Sequence, residues 1–147
     1  MRTLFALALL ALWAGPLRAQ NGWPDLDQLL SATLAPGQYF EVSFWLPDST
    51  DPAQAQQVIG VVYPVISGAA GNTGIAVGHF VRVTGGGWRL GGVVRDLFGQ
   101  NPRDARFAPG SVQITTTMLG PNEPRCCPTL PVRWQIDLST LQAQRFN

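Results

Sequence analysis

The amino-acid sequence predicts an α+β domain that is mainly β, with one N-terminal helix packed on an antiparallel sheet of about six strands. Three observations lead to this prediction. Apolar and polar residues alternate with period two along most of the chain after residue 39. Turn-forming residues, drawn from 16 glycines and 12 prolines, separate the alternating runs. Apolar residues recur at helical spacing at the start of this domain.

The predicted helix covers residues 23–34. Four leucines in this segment recur at helical spacing and so share one face of the helix: Leu26, Leu29, Leu30 and Leu34. Pro24 and two acidic residues in the first turn are typical of a helix start. Pro36 followed by Gly37 is typical of a helix end. The result is one short amphipathic helix.

Six runs with strand character follow, and they cover residues 39–46, 58–66, 75–83, 88–94, 111–118 and 132–138. The second run is apolar on both faces, which predicts a central strand, but Pro64 cannot donate a backbone hydrogen bond and indicates an edge or a bulge. Three glycines at residues 85–87 predict a hairpin between the third and fourth runs. Residues 95–109 are polar and irregular, with a single helical turn at residues 96–98. The last two runs predict a long hairpin with a proline-rich loop.

Residues 1–19 have the layout of a secretory signal peptide. Arg2 precedes the apolar run LFALALLALWA, Gly15 and Pro16 end any helix, and Ala19 is the small residue before the expected cut. The alternative, a membrane anchor, needs about 20 apolar residues to cross the hydrocarbon core, and this run is shorter. We therefore expect residues 20–147 to form a single exported β-rich domain, periplasmic or extracellular, with no stable membrane span after cleavage.

Composition narrows the classes of partner. All ten basic residues of the chain are arginines, and the formal net charge is +1. A nearly neutral chain without a basic run has no electrostatic footprint for nucleic acid or for anionic lipid. We therefore expect no nucleic acid as a partner. The sequence also lacks a phosphate-cradling glycine loop and a metal-binding helix, because the glycines at residues 85–87 lie between strands, so we expect no cofactor. The expected partner is an unknown protein or envelope component.

Cys126 and Cys127 are adjacent, and they are the only cysteines of the chain. Neighbouring α-carbons across a trans peptide lie about 3.8 Å apart, below the usual disulfide range, so a bridge between them is a strained one. One interpretation is a thiol switch or a soft-metal site, aided by the charge of Arg125. The other, which we favour, is a bridge or a pair of buried thiols that fixes the shape of the loop. A zinc site needs two further ligands that the sequence does not identify, so the metal is unknown.

The cysteines lie in a proline-rich loop whose supporting residues are Gly120, Pro121, Asn122, Pro124, Arg125 and Pro128. The string GPNEPRCCPT resembles a Gly-Pro-Asn-Asp-Pro-x-Cys-Cys-Pro-Thr loop found near the C-terminus of uncharacterised exported bacterial proteins. Glu123 stands where that pattern has aspartate. The resemblance covers the last third of the chain, with a looser likeness over residues 58–83. It implies secretion and a β-rich domain, and it implies no particular reaction.

His79 is the only histidine, and its apolar neighbours at alternate positions predict a core-facing or rim position with a structural role. A Cys-His pairing with the proline-rich loop is the alternative. A second polar group, comprising Arg95, Asp96, Arg103, Asp104 and Arg106, fits either a solvated loop or an anion site, and we favour the loop. No catalytic residue is assigned.

These observations favour a non-enzymatic binding or envelope-associated domain of unknown activity, in which Trp23 or Trp45 marks a binding face. The alternative function is a thiol-redox or soft-metal-responsive protein that acts through the two cysteines. An enzyme assembled from polar loops is the third hypothesis.

Overall fold

The computed structural model describes residues 22–68 and 72–146, so the expected signal peptide at residues 1–19 lies outside the described residues. One helix precedes eight strands. Their bounds are α1 Leu26–Leu34, β1 Phe40–Pro47, β2 Gln57–Pro64, β3 Ala76–Arg82, β4 Trp88–Val94, β5 Gln100–Ala108, β6 Ser111–Met118, β7 Leu130–Asp137 and β8 Gln142–Arg145. The prediction of a mainly β domain with one N-terminal helix is confirmed.

The strands form two antiparallel sheets of four, in the orders β1-β2-β3-β4 and β5-β6-β7-β8. The prediction of a single sheet of about six strands is therefore wrong in number and in partition. The six predicted strands exist, but β5 and β8 add two more, and the chain changes sheets between β4 and β5. Each sheet is a simple meander, so sequence neighbours pair throughout.

Strand β5 occupies the segment that the sequence predicted to be irregular. Its register against β6 shifts twice, between Gln100 and Arg103 and between Arg103 and Arg106. Asn101 and Asp104 lie at these shifts with φ of 49° and 55°, a left-handed conformation that Asn and Asp adopt more readily than most residues. Each bulge adds one residue, so the outward positions recur every three residues. The period-two signature of a strand is lost although the pairing remains.

Two cores lie on opposite faces of the first sheet. The larger lies between the two sheets and is built from Ile59, Val61, Tyr63, Val77, Val94, Leu97, Val112, Ile114, Trp134, Ile136 and Ala143. The smaller lies between the first sheet and the N-terminal helix and contains Leu30, Ala35, Val58, Val62 and Phe80. The molecule therefore has three layers, a helix, a sheet and a second sheet. Strand β2 contributes to both cores, which explains why it is apolar on both faces.

Helix α1 sits over a pair of glycines. Gly60 on β2 is directly opposite Gly78 on β3. A β-carbon built at Gly60 would lie 2.7 Å from Leu30, and one built at Gly78 would lie 2.9 Å from Leu34. The absence of side chains at these positions lets the leucines of the helix approach the sheet. Asp25 caps the helix by accepting a hydrogen bond from the backbone N–H of Gln28 at 3.0 Å.

Pro64 ends β2, which lies between β1 and β3. It is opposite Phe40, and the register of β1 against β2 shifts immediately afterward, between Phe40 and Ser43. Of the two positions that proline indicated, an edge or a bulge, the structure has the bulge.

Within residues 22–68 and 72–146, no helix has the length and apolar character needed to cross a membrane.

Candidate functional site: the disulfide loop between β6 and β7

The proline-rich loop connects the two central strands of the second sheet. Thr117 pairs with Pro131 and Met118 with Leu130, so the two arms of the loop leave the sheet side by side. The arms are continuous with eight residue pairs of unbroken register between β6 and β7. A loop anchored on two long paired strands has its ends fixed by the sheet, and its conformation then depends on contacts within the loop itself.

Glu123 supplies those contacts. One of its carboxylate oxygens, Oε2, accepts hydrogen bonds from the backbone N–H groups of Gly120 and Thr129, each at 2.9 Å. The other, Oε1, accepts a hydrogen bond from the Thr129 hydroxyl. One side chain thus joins the first arm of the loop to the second. The hydrogen bonds from the Thr129 hydroxyl and from the Gly120 and Thr129 amides stabilise the ionised carboxylate and lower the pKa of Glu123.

The disulfide lies in the part of the loop between Glu123 and Thr129, the two residues whose side chains form the clamp described above. Residues 124–127 form a tight turn in which the Cys127 N–H donates to the Pro124 carbonyl at 3.1 Å. Cys126 and Cys127 are bonded to each other through a trans peptide, with α-carbons 3.8 Å apart, and both are solvent-exposed. Of the interpretations that the sequence left open, the structure has a bridge, and the sulfurs are at the surface.

The remaining loop residues divide by exposure. Gly120 is buried, and its amide donates to Glu123, whereas Pro128 is half-buried. Pro121, Asn122, Pro124 and Arg125 are exposed around the turn. The loop is flanked by two exposed apolar side chains, Leu119 at 44% and Leu130 at 42% exposure. The structure therefore brings the predicted loop residues together in one loop, whose turn and disulfide are exposed and have apolar side chains beside them.

The sequence did not predict that Glu123 joins the two arms of the loop, and it showed only a glutamate where the similar motif has aspartate. No sequence signal identifies this role, because the amides of Gly120 and Thr129 converge on Glu123 only once β6 and β7 pair.

His79 is in the other sheet. It is buried on β3, and its Nε2 lies 3.1 Å from the Gln57 side-chain oxygen. Burial lowers the pKa of His79, which favours the neutral ring. His79 pairs with Ile59, whereas Tyr63, four residues further along β2, donates to the Gly99 carbonyl near the loop-bearing end of the second sheet. At about 3.3 Å per residue, this separation along the strand is roughly 13 Å. The structure does not bring the histidine to the cysteines.

The two tryptophans that the sequence suggested as a binding face, Trp23 and Trp45, lie in an aromatic cluster. Trp23, Trp45 and Trp88 are half-buried and pack against one another, with ring centroids 5.4–6.1 Å apart. Phe80 adds a fourth ring 5.2 Å from Trp45, and Arg82 lies over the Trp88 ring. Trp45 and Trp88 also pack against the smaller core. This cluster attaches the segment before α1 to the first sheet.

Within the part of the chain that the structure describes, no group of three or more histidine, cysteine or acidic side chains is arranged to hold a metal ion. Comparison of the chain with protein-family models, with curated proteins and with solved structures finds no match.

Proposed function

We propose that the mature chain is an exported, non-enzymatic binding domain of the periplasm or cell exterior, and that the β6–β7 loop is its recognition element. The observation that supports the proposal most is the combination of exposure and internal restraint at this loop. Its turn and disulfide are exposed, while Glu123 joins its arms. A restrained loop loses little conformational entropy on binding, which favours affinity.

The chemistry of the surface fits a protein or other envelope component with an apolar contact region. A disulfide has no strong hydrogen-bonding group, and it shares this side of the molecule with the exposed Leu119 and Leu130. Arg125, in the turn itself, adds a charged and planar donor group of the kind enriched at protein interfaces.

Site-specific photocrosslinking in the native host tests this proposal. A photoreactive phenylalanine analogue replaces the exposed Asn122 in the loop, and in a matched control it replaces Thr84 in the exposed β3–β4 turn. We expect a discrete adduct of higher mass from position 122 and none from position 84. Adducts of equal yield at both positions, or none at position 122, would contradict a recognition role for the loop.

A second candidate function follows from the exposure of the bridge. In a thiol-redox role, a thiolate of a partner dithiol attacks one sulfur of the Cys126–Cys127 bond and forms a mixed disulfide. The second partner thiol then resolves it, so the partner is oxidised and this chain gains two electrons and two protons. Equilibration in glutathione buffers measures the reduction potential of the pair. A potential within the range of the host compartment supports the switch, and a bridge that stays closed throughout that range supports the binding role.

A further inference from the structure

The outer face of the second sheet, which points away from the inter-sheet core, presents three arginines. Across β5, β6 and β7, Arg103 is opposite Thr115, and Thr115 is opposite Arg133. In the adjacent row, Arg106 is opposite Gln113. Directly opposed residues of neighbouring strands share a face, so all five side chains lie on the same side of the sheet.

The bulge at Asp104 creates this arrangement. In a regular strand, residues three apart point to opposite faces, and Arg103 and Arg106 would be separated by the sheet. The register shift between them adds one residue and returns Arg106 to the face of Arg103. The polar segment that the sequence treated as a solvated loop is therefore a strand that aims two arginines outward.

Two of the arginines have guanidinium groups available for a ligand. Arg103 is already engaged, since it donates to the Thr117 hydroxyl at 2.9 Å and lies 3.8 Å from the Asp104 carboxylate. That is the one ion pair among the residues that the structure describes. Arg133 is oriented by packing over the ring of Phe146, with its Cζ 5.2 Å from the centroid. Arg106 and Arg133 line a cleft of about 160 Å³, together with Asp104, Gln113, Ile114 and Thr115.

The composition of this face indicates the chemistry of its partner. Neither of the two rows contains any of the large apolar side chains that are exposed in the described part of the chain. Protein interfaces and lipid-binding surfaces depend on such apolar or aromatic anchors. Arginine instead binds carboxylates through paired hydrogen bonds, and threonine and glutamine side chains bind hydroxyl groups. A polymer that alternates carboxylates with hydroxyls matches both features.

We propose that the outer face of the second sheet binds an acidic polysaccharide, with a sugar carboxylate held between Arg106 and Arg133 and neighbouring hydroxyls on Thr115 and Gln113. This site is separate from the cysteine loop and does not depend on its function.

Isothermal titration of the mature protein with oligogalacturonates at low salt tests the proposal. The fully methyl-esterified oligomers are the control ligand, because they keep the hydroxyls and lose the charge. We expect binding to the free acid only, weakened by added salt. Arg106→Gln and Arg133→Gln each remove a charge-assisted contact and should weaken binding roughly ten-fold or more. The exposed Arg89 on β4 provides the matched control, and Arg89→Gln should leave affinity unchanged.

A variant that is expected to tighten binding distinguishes an effect on the site from a loss of folding. Asp104→Asn keeps a residue that tolerates the left-handed backbone and removes the negative charge from the rim of the cleft, so it should tighten binding. No binding to the free acid, equal loss in Arg89→Gln, or binding only to anionic lipid vesicles overturns the proposal.

Discussion

The Cys126–Cys127 bridge should contribute little to the stability of the whole domain. A disulfide stabilises a fold mainly by restricting the unfolded chain, and the effect grows with the length of the closed loop. This bridge joins adjacent residues. The chain-entropy relation gives about 1 kcal/mol for a two-residue loop, compared with about 3 kcal/mol for a 15-residue loop. Both cysteines are also exposed, so replacing them opens no cavity in either core.

The double variant Cys126→Ser/Cys127→Ser measures this contribution. Urea unfolding, followed by tryptophan fluorescence, should give a free energy of unfolding within about 1 kcal/mol of the oxidised wild type. The slope against urea should be unchanged, because the same surface is exposed on unfolding. A loss of about 3 kcal/mol or more would instead show that the bridge is a structural cross-link of the fold.

Three further perturbations test the core and the clamp. Thr116→Val should cost about 1–3 kcal/mol, because it leaves the buried Trp134 Nε1–H, now 2.8 Å from the hydroxyl, without an acceptor; urea unfolding measures this loss. Gly60→Ala should destabilise by about 1–3 kcal/mol through overpacking against Leu30, seen as a lower urea midpoint. Because the folded-state pKa of Glu123 is lowered, its stabilisation of the loop is present above the ordinary glutamate pKa and is lost as pH falls through the lowered value. The chemical shifts of the loop amides should therefore change on acidification, and Glu123→Gln should remove this change.

Each of these three has a result that would contradict it. Thr115→Val, at the outward-facing neighbour of Thr116, is the matched control for the buried hydroxyl, and an equal effect at both positions would remove the hydrogen-bond explanation. A neutral Gly60→Ala would show that α1 is not held against the glycine pair. If the chemical shifts of the loop amides changed with a midpoint at or above the ordinary glutamate pKa, Glu123 would not be held by the hydrogen bonds described above.

The parts of the fold that the sequence predicted are those specified by local pattern. Helix α1 and the alternating runs of β6 and β7 lie where period and turn residues placed them. Strand β5 was missed because its bulges at Asn101 and Asp104 replace period two with period three. Strand β8 has only four residues and a single buried one, Ala143, which is too short to show an alternation.

The division into two sheets depends on contacts that no local pattern reports. Tyr63 in β2 and Trp134 in β7 lie in one core although they are far apart in the sequence. Both sheets are antiparallel meanders, so hairpins alone are consistent with one sheet or with two. The choice follows from which apolar faces meet, and that is a property of the whole chain.

The sequence predicted where the cysteine loop lies in the fold, but not how Glu123 restrains it. Adjacent cysteines and several prolines identified the loop, and the structure places it at the surface between β6 and β7. Glu123 could not be assigned its role from the sequence, since the amides of Gly120 and Thr129 converge on it only after the strands pair.

We propose that the chain is exported and is present outside the cytoplasm with Cys126 bonded to Cys127. Intact mass of the protein recovered from the envelope or medium, alkylated without reductant, tests both parts together. We expect the mass of a chain that begins near Gln20, with no alkyl group added before reduction and two added after it. Two alkyl groups on the unreduced protein, or a mass that includes residues 1–19, would contradict it.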